Sequence, residues 1–129
     1  MDSDPISALV GLLRERHGAL RGCYLFGSRA DSSARPDSDW DFGLLCPDLD
    51  ALELRDTAAQ ASILLGADVD LVDLRRASTV LKAEILRRGR AVFAADPAGM
   101  ARFEMDVLTE YQNLNESRKF ILRDFGMAA

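Results

Sequence analysis

The chain of 129 residues has little of what several broad classes of protein require. It has a single histidine and two cysteines, Cys23 and Cys46, which are not in metal-ligand spacing. This excludes a zinc site and a disulfide framework, and reduced thiols inside or beside strands are the expectation. No segment approaches the ~20 apolar residues that span a bilayer. The N-terminus opens with acidic residues and no basic, then apolar, leader, so no membrane or export role is expected. The balance is acidic, with a formal net charge of -5. A general nucleic-acid surface would need the opposite sign to neutralise phosphates. Internal repeats and low-complexity linkers are also missing. One cytoplasmic domain over 1–129 is expected, acting on a protein if its substrate is a macromolecule.

What the chain does contain is concentrated in Gly27 to Asp41, GSRADSSARPDSDWD, between the apolar runs Cys23–Phe26 and Trp40–Leu45. Side chains alternate along a strand, so Asp39, Asp41 and Gly43 share one face while Trp40, Phe42 and Leu44 share the other. Two carboxylates on one side repel unless a cation lies between them. Hard oxygen donors without nearby Cys or His favour magnesium or manganese. At the other end of the stretch, Gly27 and Ser28 leave a strand for a turn, where backbone N–H groups and the Ser28 hydroxyl can meet a phosphate. A phosphate cradle joined to a metal-binding pair suggests nucleotidyl transfer from a metal-bound triphosphate.

The remaining elements follow from periodicity and end signals. Asp4 and Pro5 start a helix carrying Ile6, Leu9, Val10 and Leu13 and ended by Gly18; His17, beside Arg14, Glu15 and Arg16, is expected in solvent at its end without a catalytic role. A first strand spans about Arg21 to Phe26. Pro36 prevents a continuous helix from reaching Asp39, and the second strand stops at Pro47. Asp50 and Glu53 form a capping-box pattern ahead of a helix with Leu52, Ala59, Ile63 and Leu64, closed by Gly66. A third strand, Asp68 to Leu74, places Asp68, Asp70 and Val72 opposite Val69 and Leu71, which offers a further carboxylate. Ser78 caps a helix with Val80, Leu81, Ile85 and Leu86, followed by a short strand, Ala91 to Ala94. Arg87, Arg88 and Arg90 are expected to serve the helix end rather than a triphosphate. Asp96 and Pro97 open a last helix to about Phe125, with Phe103, Val107, Leu114, Ile121 and Phe125 in one stripe. Gln112, Asn113 and Asn115 leave a kink open. At about 40 Å it is longer than such a domain needs, so part of its stripe is expected at a protein interface.

Gly27, Ser28, ten residues and then Asp39, Trp40, Asp41 resemble the GS-x10-DxD signature of the DNA polymerase beta-like nucleotidyltransferases. At this length the likeness is to their minimal nucleotidyltransferase branch, and the spacing of elements up to about Ala94 fits as well. That branch often reads GSRARG; here Asp31 stands in place of the second Arg, and a phosphate contact from that position is not expected. The resemblance implies an α/β (α+β) nucleotidyltransferase fold. Its small mixed sheet has helices mainly on one face, with a core over about 1–95 and a helical segment over about 97–125. It implies Asp39, Asp41 and Asp70 as catalytic and metal-ligating acids, Asp70 as the third acid. Gly27 and Ser28 would bind the nucleotide, with two Mg2+ ions and ATP as substrate. Its members are commonly antitoxins paired with a helical HEPN ribonuclease toxin, some of which silence the toxin by moving AMP to a tyrosine. The function implied is therefore an adenylyltransferase antitoxin in a hetero-oligomer, with a homodimer also open. A binding-only antitoxin and an aminoglycoside-type small-molecule nucleotidyltransferase are the alternatives. The intact acids speak against the first, and the short chain against the second.

Overall fold

A computed structural model describes residues 4–31, 33–36 and 38–124, with side chains up to 118. Among these residues four helices and four strands follow in the order α1 Pro5–Arg16, β1 Gly22–Phe26, β2 Trp40–Leu45, α2 Ala51–Leu65, β3 Val69–Asp73, α3 Thr79–Arg88, β4 Arg90–Ala94 and α4 Pro97–Asp124. They form one mixed sheet in the order β3-β2-β1-β4. β1 pairs antiparallel with β2 and β4, and β2 runs parallel to β3. The crossover from β2 to β3 is helical, as a parallel pair requires.

Period-two alternation separates the sheet into two faces. Cys23, Leu25, Trp40, Phe42, Leu44, Val69 and Leu71 point to the face covered by α1 and α2, where they join Leu9, Leu13 and Ala61 in the main core. Tyr24, Leu45, Leu74, Ile85 and Met100 form a smaller cluster on the other face, under α3 and α4. The mixed α/β architecture and the long C-terminal helix follow the sequence pattern, but the helices, expected mainly on one face, divide two and two, because both faces of the sheet carry apolar side chains that need cover.

Several local expectations need correction. His17 is not solvated. It is 7% exposed, and Nε2 lies 2.9 Å from the Thr57 hydroxyl, itself a donor to the Glu53 carbonyl at 3.0 Å. The chain turns back at the end of α1, which carries this C-cap residue under α2 instead of out into water. In α2 the inward face is Leu54, Thr57, Ala58, Ala61 and Leu65, while Leu52 and Ile63 are 68% and 83% exposed. Small residues allow α2 to approach α1 and the sheet closely, and the larger side chains lie out of phase with that contact. The Asp50–Glu53 capping box does not form: Asp50 makes no side-chain cap bond, and its carbonyl takes the Leu54 N–H instead. Gly66 does close α2, in the left-handed conformation at φ 68°.

α4 is one continuous helix of 28 residues, roughly 42 Å at 1.5 Å per residue. Asp96 caps it by accepting from Gly99 N–H at 3.0 Å. Tyr24 ties it to the sheet, its hydroxyl donating to Glu104 at 2.9 Å. The anticipated stripe is partly spent on the chain's own core: Met100 and Val107 are buried and Phe103 half-buried, whereas Met105 and Leu108 face water. The side chain of Ile121, and Phe125 altogether, lie outside the described residues.

Burial depresses the His17 pKa below its ordinary value, with the Arg16 charge adding and Glu53 opposing. A base whose folded pKa is lowered stabilises the fold above its unfolded value and loses that contribution as pH falls through it. Urea midpoints of the parent should therefore drop as pH falls below about 6.5. The His17→Gln variant should show a flatter pH dependence over the same range.

Candidate active site

The site grows from the end of one hairpin. β1 and β2 pair down to Phe26 opposite Asp41, and the chain leaves β1 through a turn closed by Ala30 N–H on the Gly27 carbonyl at 3.0 Å. Gly27 has φ 75°, and a Cβ there would run into the Asp41 carboxylate. Glycine is needed twice over at this point, for the backbone and for the acid. The turn carries Ser28, half-buried beside the strand end.

β2 sets the acids. Asp41 lies on the face of Phe26 and Gly43, opposite the Trp40 and Phe42 face, as alternation requires. The parallel register of β2 with β3 then puts Asp70 directly beside Asp41. Asp39 immediately precedes β2, anchored by the Trp40 N–H on the Asp68 carbonyl at 2.9 Å. Asp39 and Asp70 are exposed and Asp41 is half-buried, so the acids occupy an open shelf rather than a cavity. Burial raises the Asp41 pKa above the usual carboxylate range, and the charges of Asp70 and Asp39 raise it further.

These three carboxylates meet the chemical requirements of a hard divalent cation: oxygen donors only, crowded enough to repel, and open on one side. As the side chains stand, no group of three or more acidic, histidine or cysteine residues among the described residues is placed to hold a metal ion. The pair Asp41 and Asp70 is preset by backbone register, and Asp39 is the acid with freedom to adjust.

Other charged residues near the shelf are committed elsewhere. Asp31 accepts from both the N–H and the hydroxyl of Ser33, at 3.0 and 2.6 Å, and these bonds hold its pKa below the ordinary value. Its carboxylate thus builds the loop where the resembling family often has an arginine. Arg87 and Arg88 pair with Glu84 at 3.1 and 2.9 Å, consistent with a helix-end role. Sequence reasoning passed over Arg29, whose guanidinium carbon lies 4.3 Å above the Trp40 ring. The visible signal was an arginine directly after Gly27-Ser28 and a lone tryptophan between two aspartates.

Residues 12–98 match the polymerase beta nucleotidyltransferase family. The chain belongs to that family. A curated member, the protein adenylyltransferase MntA of Shewanella oneidensis, is 33% identical over 117 residues, which cover 90% of this chain and 84% of MntA. A crystal structure of a toxin–antitoxin with AMP-PNP superposes with a TM-score of 0.83 at 32% identity, covering 93% of this chain and 97% of the other. A structure of the tri-AMPylated Shewanella oneidensis HEPN toxin with its MNT antitoxin gives a TM-score of 0.78 at 31% identity, over 94% and 95% of the two chains. This nucleotidyltransferase therefore shares nearly its whole length with those chains, the long C-terminal helix included.

Two substitutions test the shelf. Gly27→Ala should cost about 1–2 kcal/mol for the left-handed backbone alone, seen as a lower denaturant midpoint, and should displace Asp41. Asp41→Asn should act in the opposite direction on stability. A carboxylate with a raised folded pKa stabilises when protonated and loses that contribution as pH rises through the folded value. The metal-free Asp41→Asn protein should therefore melt above the parent at pH 7, by a margin that shrinks towards pH 4.

Proposed function

We propose that this nucleotidyltransferase is an antitoxin that transfers AMP from ATP to a hydroxyl, a tyrosine in the leading reading, of a partner HEPN ribonuclease toxin and so silences it. The observation that carries the reading is the same-face acid pair, Asp41 beside Asp70 with Asp39 next to them. It occurs in a chain that matches an adenylyltransferase over 90% of its length. The structural relatives crystallised with an ATP analogue and with an AMPylated toxin agree with it in nucleotide and in partner.

Asp39, Asp41 and Asp70 would hold magnesium, two ions in the full reading. Bound there, the metal would neutralise the triphosphate and the charge that develops during transfer. The chain's own residues do the remaining work. The Gly27–Ala30 turn, whose first residue lies against the Asp41 carboxylate, would offer the Ser28 hydroxyl and backbone to the outer phosphates. Asp70, exposed to solvent, would take up the proton of the acceptor hydroxyl. The hydroxyl oxygen bonds to the alpha-phosphorus, the bond to the bridging oxygen breaks, and pyrophosphate departs with that electron pair. The openness of the shelf suits an acceptor carried on another protein, which would itself exclude water when docked.

The toxin contact is assigned to the α3–α4 side. Met105 and Leu108 are 65% and 57% exposed on α4, and Leu108 shares a groove with Val80 of α3. This groove of about 380 Å3 runs between the two helices, lined by Val80, Ala83, Leu86, Leu108 and Tyr111 together with the charged Glu84, Arg87 and Glu104. A helical partner with an apolar stripe is the occupant such a groove fits.

Radiolabelled AMP transfer to the toxin should vanish in the Asp39→Asn, Asp41→Asn double variant while circular dichroism stays that of the parent. Unchanged transfer would remove the acids from the mechanism. Ser28→Ala loses a hydrogen bond to a charged group, about 1.5–3 kcal/mol, or roughly ten- to 150-fold in rate. Leu108→Arg should break the toxin complex in light scattering, whereas Ile63→Arg on α2 should leave it intact.

A further inference from the structure

The turn beside the acids carries one guanidinium, and its donors are directed at the chain itself. Arg29 Nε donates to the Ser38 carbonyl at 3.3 Å, and Nη2 donates to the Ser38 and Pro36 carbonyls at 2.9 and 3.1 Å. Its plane covers the Trp40 ring, with the guanidinium carbon 4.3 Å from the centroid. Trp40 is stacked in turn on Phe42, at 6.0 Å and an interplanar angle of 5°, and Phe42 is fully buried. Ser38 is fixed from its other side as well: its hydroxyl accepts from Arg35 N–H at 2.7 Å, and its own N–H donates to the Arg35 carbonyl at 3.0 Å.

The geometry points to Arg29 as a positioning residue for the acids, which acts through the loop and not on the nucleotide. Ser38 is one peptide bond before Asp39, and Trp40 lies between Asp39 and Asp41. Holding both fixes the backbone on each side of Asp39, the one acid that no strand register presets. The connection runs unbroken from the core through Phe42, Trp40 and Arg29 to Ser38. An arginine is needed for it, because the task combines a planar face for stacking with a fork of donors for two carbonyls. A lysine would keep the charge and lose the geometry. The naive expectation for a cation next to Ser28 is a phosphate contact, yet both Nε and Nη2 are committed to backbone carbonyls.

This inference rests on the acids' metal-holding role, and the test separates the two. Trp40 is the only tryptophan of the chain, so its fluorescence reports on the site without any turnover. Full-length parent, Arg29→Lys and Arg29→Ala proteins are checked by circular dichroism and titrated with Mn2+, following Trp40 emission. AMP-PNP affinity is then measured at saturating Mn2+. In both variants Trp40 should become more accessible to acrylamide before any metal is added. Mn2+ affinity should fall by roughly ten- to a hundredfold, as when groups that orient metal ligands are removed, with Lys recovering little of it and AMP-PNP affinity unchanged. Arg29→Lys carries the test alone should the Ala variant not fold. Parent-like Mn2+ affinity in the variants would overturn the positioning role, and with weakened AMP-PNP binding it would identify a phosphate contact instead. A parent that binds no Mn2+ would overturn the metal reading of the acids, and this role with it.

Discussion

Crowded like charge is the constraint on which the site depends. β2 and β3 run parallel in a register that leaves Asp41 and Asp70 side by side, and Asp39 adds a third negative charge next to them. Burial of Asp41 raises its pKa, and the charges of Asp70 and Asp39 raise it further, so the ionised acid opposes folding. The surrounding structure has to supply what holds it together. The Phe42–Leu44 face of the same strand provides this through burial, since each acid is followed in sequence by a residue of the main core. Strand alternation thus couples the unfavourable and the favourable side of β2 into one element.

The legibility of this chain follows from the range of its interactions. The acid face could be read because it depends on period two over three residues and on nothing beyond β2. The order of elements was also visible, since Pro5, Gly66, Ser78 and Pro97 stop or start helices by local backbone chemistry. What could not be read depended on partners distant in sequence. The inward face of α2 was misassigned because large apolar side chains outweigh alanines in a pattern, whereas close packing against α1 favours Ala58 and Ala61. His17 looked solvated among charged neighbours, and only Thr57, forty residues away, shows why it is buried. Arg29 stayed silent for the same reason, its partners being carbonyls that carry no side-chain signal.

The long C-terminal helix meets two environments on two faces of the same stretch. Its first part belongs to the domain, with Met100 and Val107 packed inward and Glu104 bonded to Tyr24. The face carrying Met105 and Leu108 does not enter either buried cluster.

The strand order has a consequence for how the chain is made. β1 pairs on one side with β2, about twenty residues on, and on the other with β4, which is synthesised only after three further elements. The acid-bearing strands β2 and β3 are complete by Asp73, yet the face beneath Tyr24 and Leu45 waits for Ile85 and Met100. During vectorial synthesis the sheet therefore passes through a stage with β1 as an open edge, its hydrogen-bonding groups unpaired. Closure comes late and over long sequence separation, the kind of contact that slows folding. The polypeptide gains its full sheet only once β4 is complete at Ala94, after both acid-bearing strands have been made.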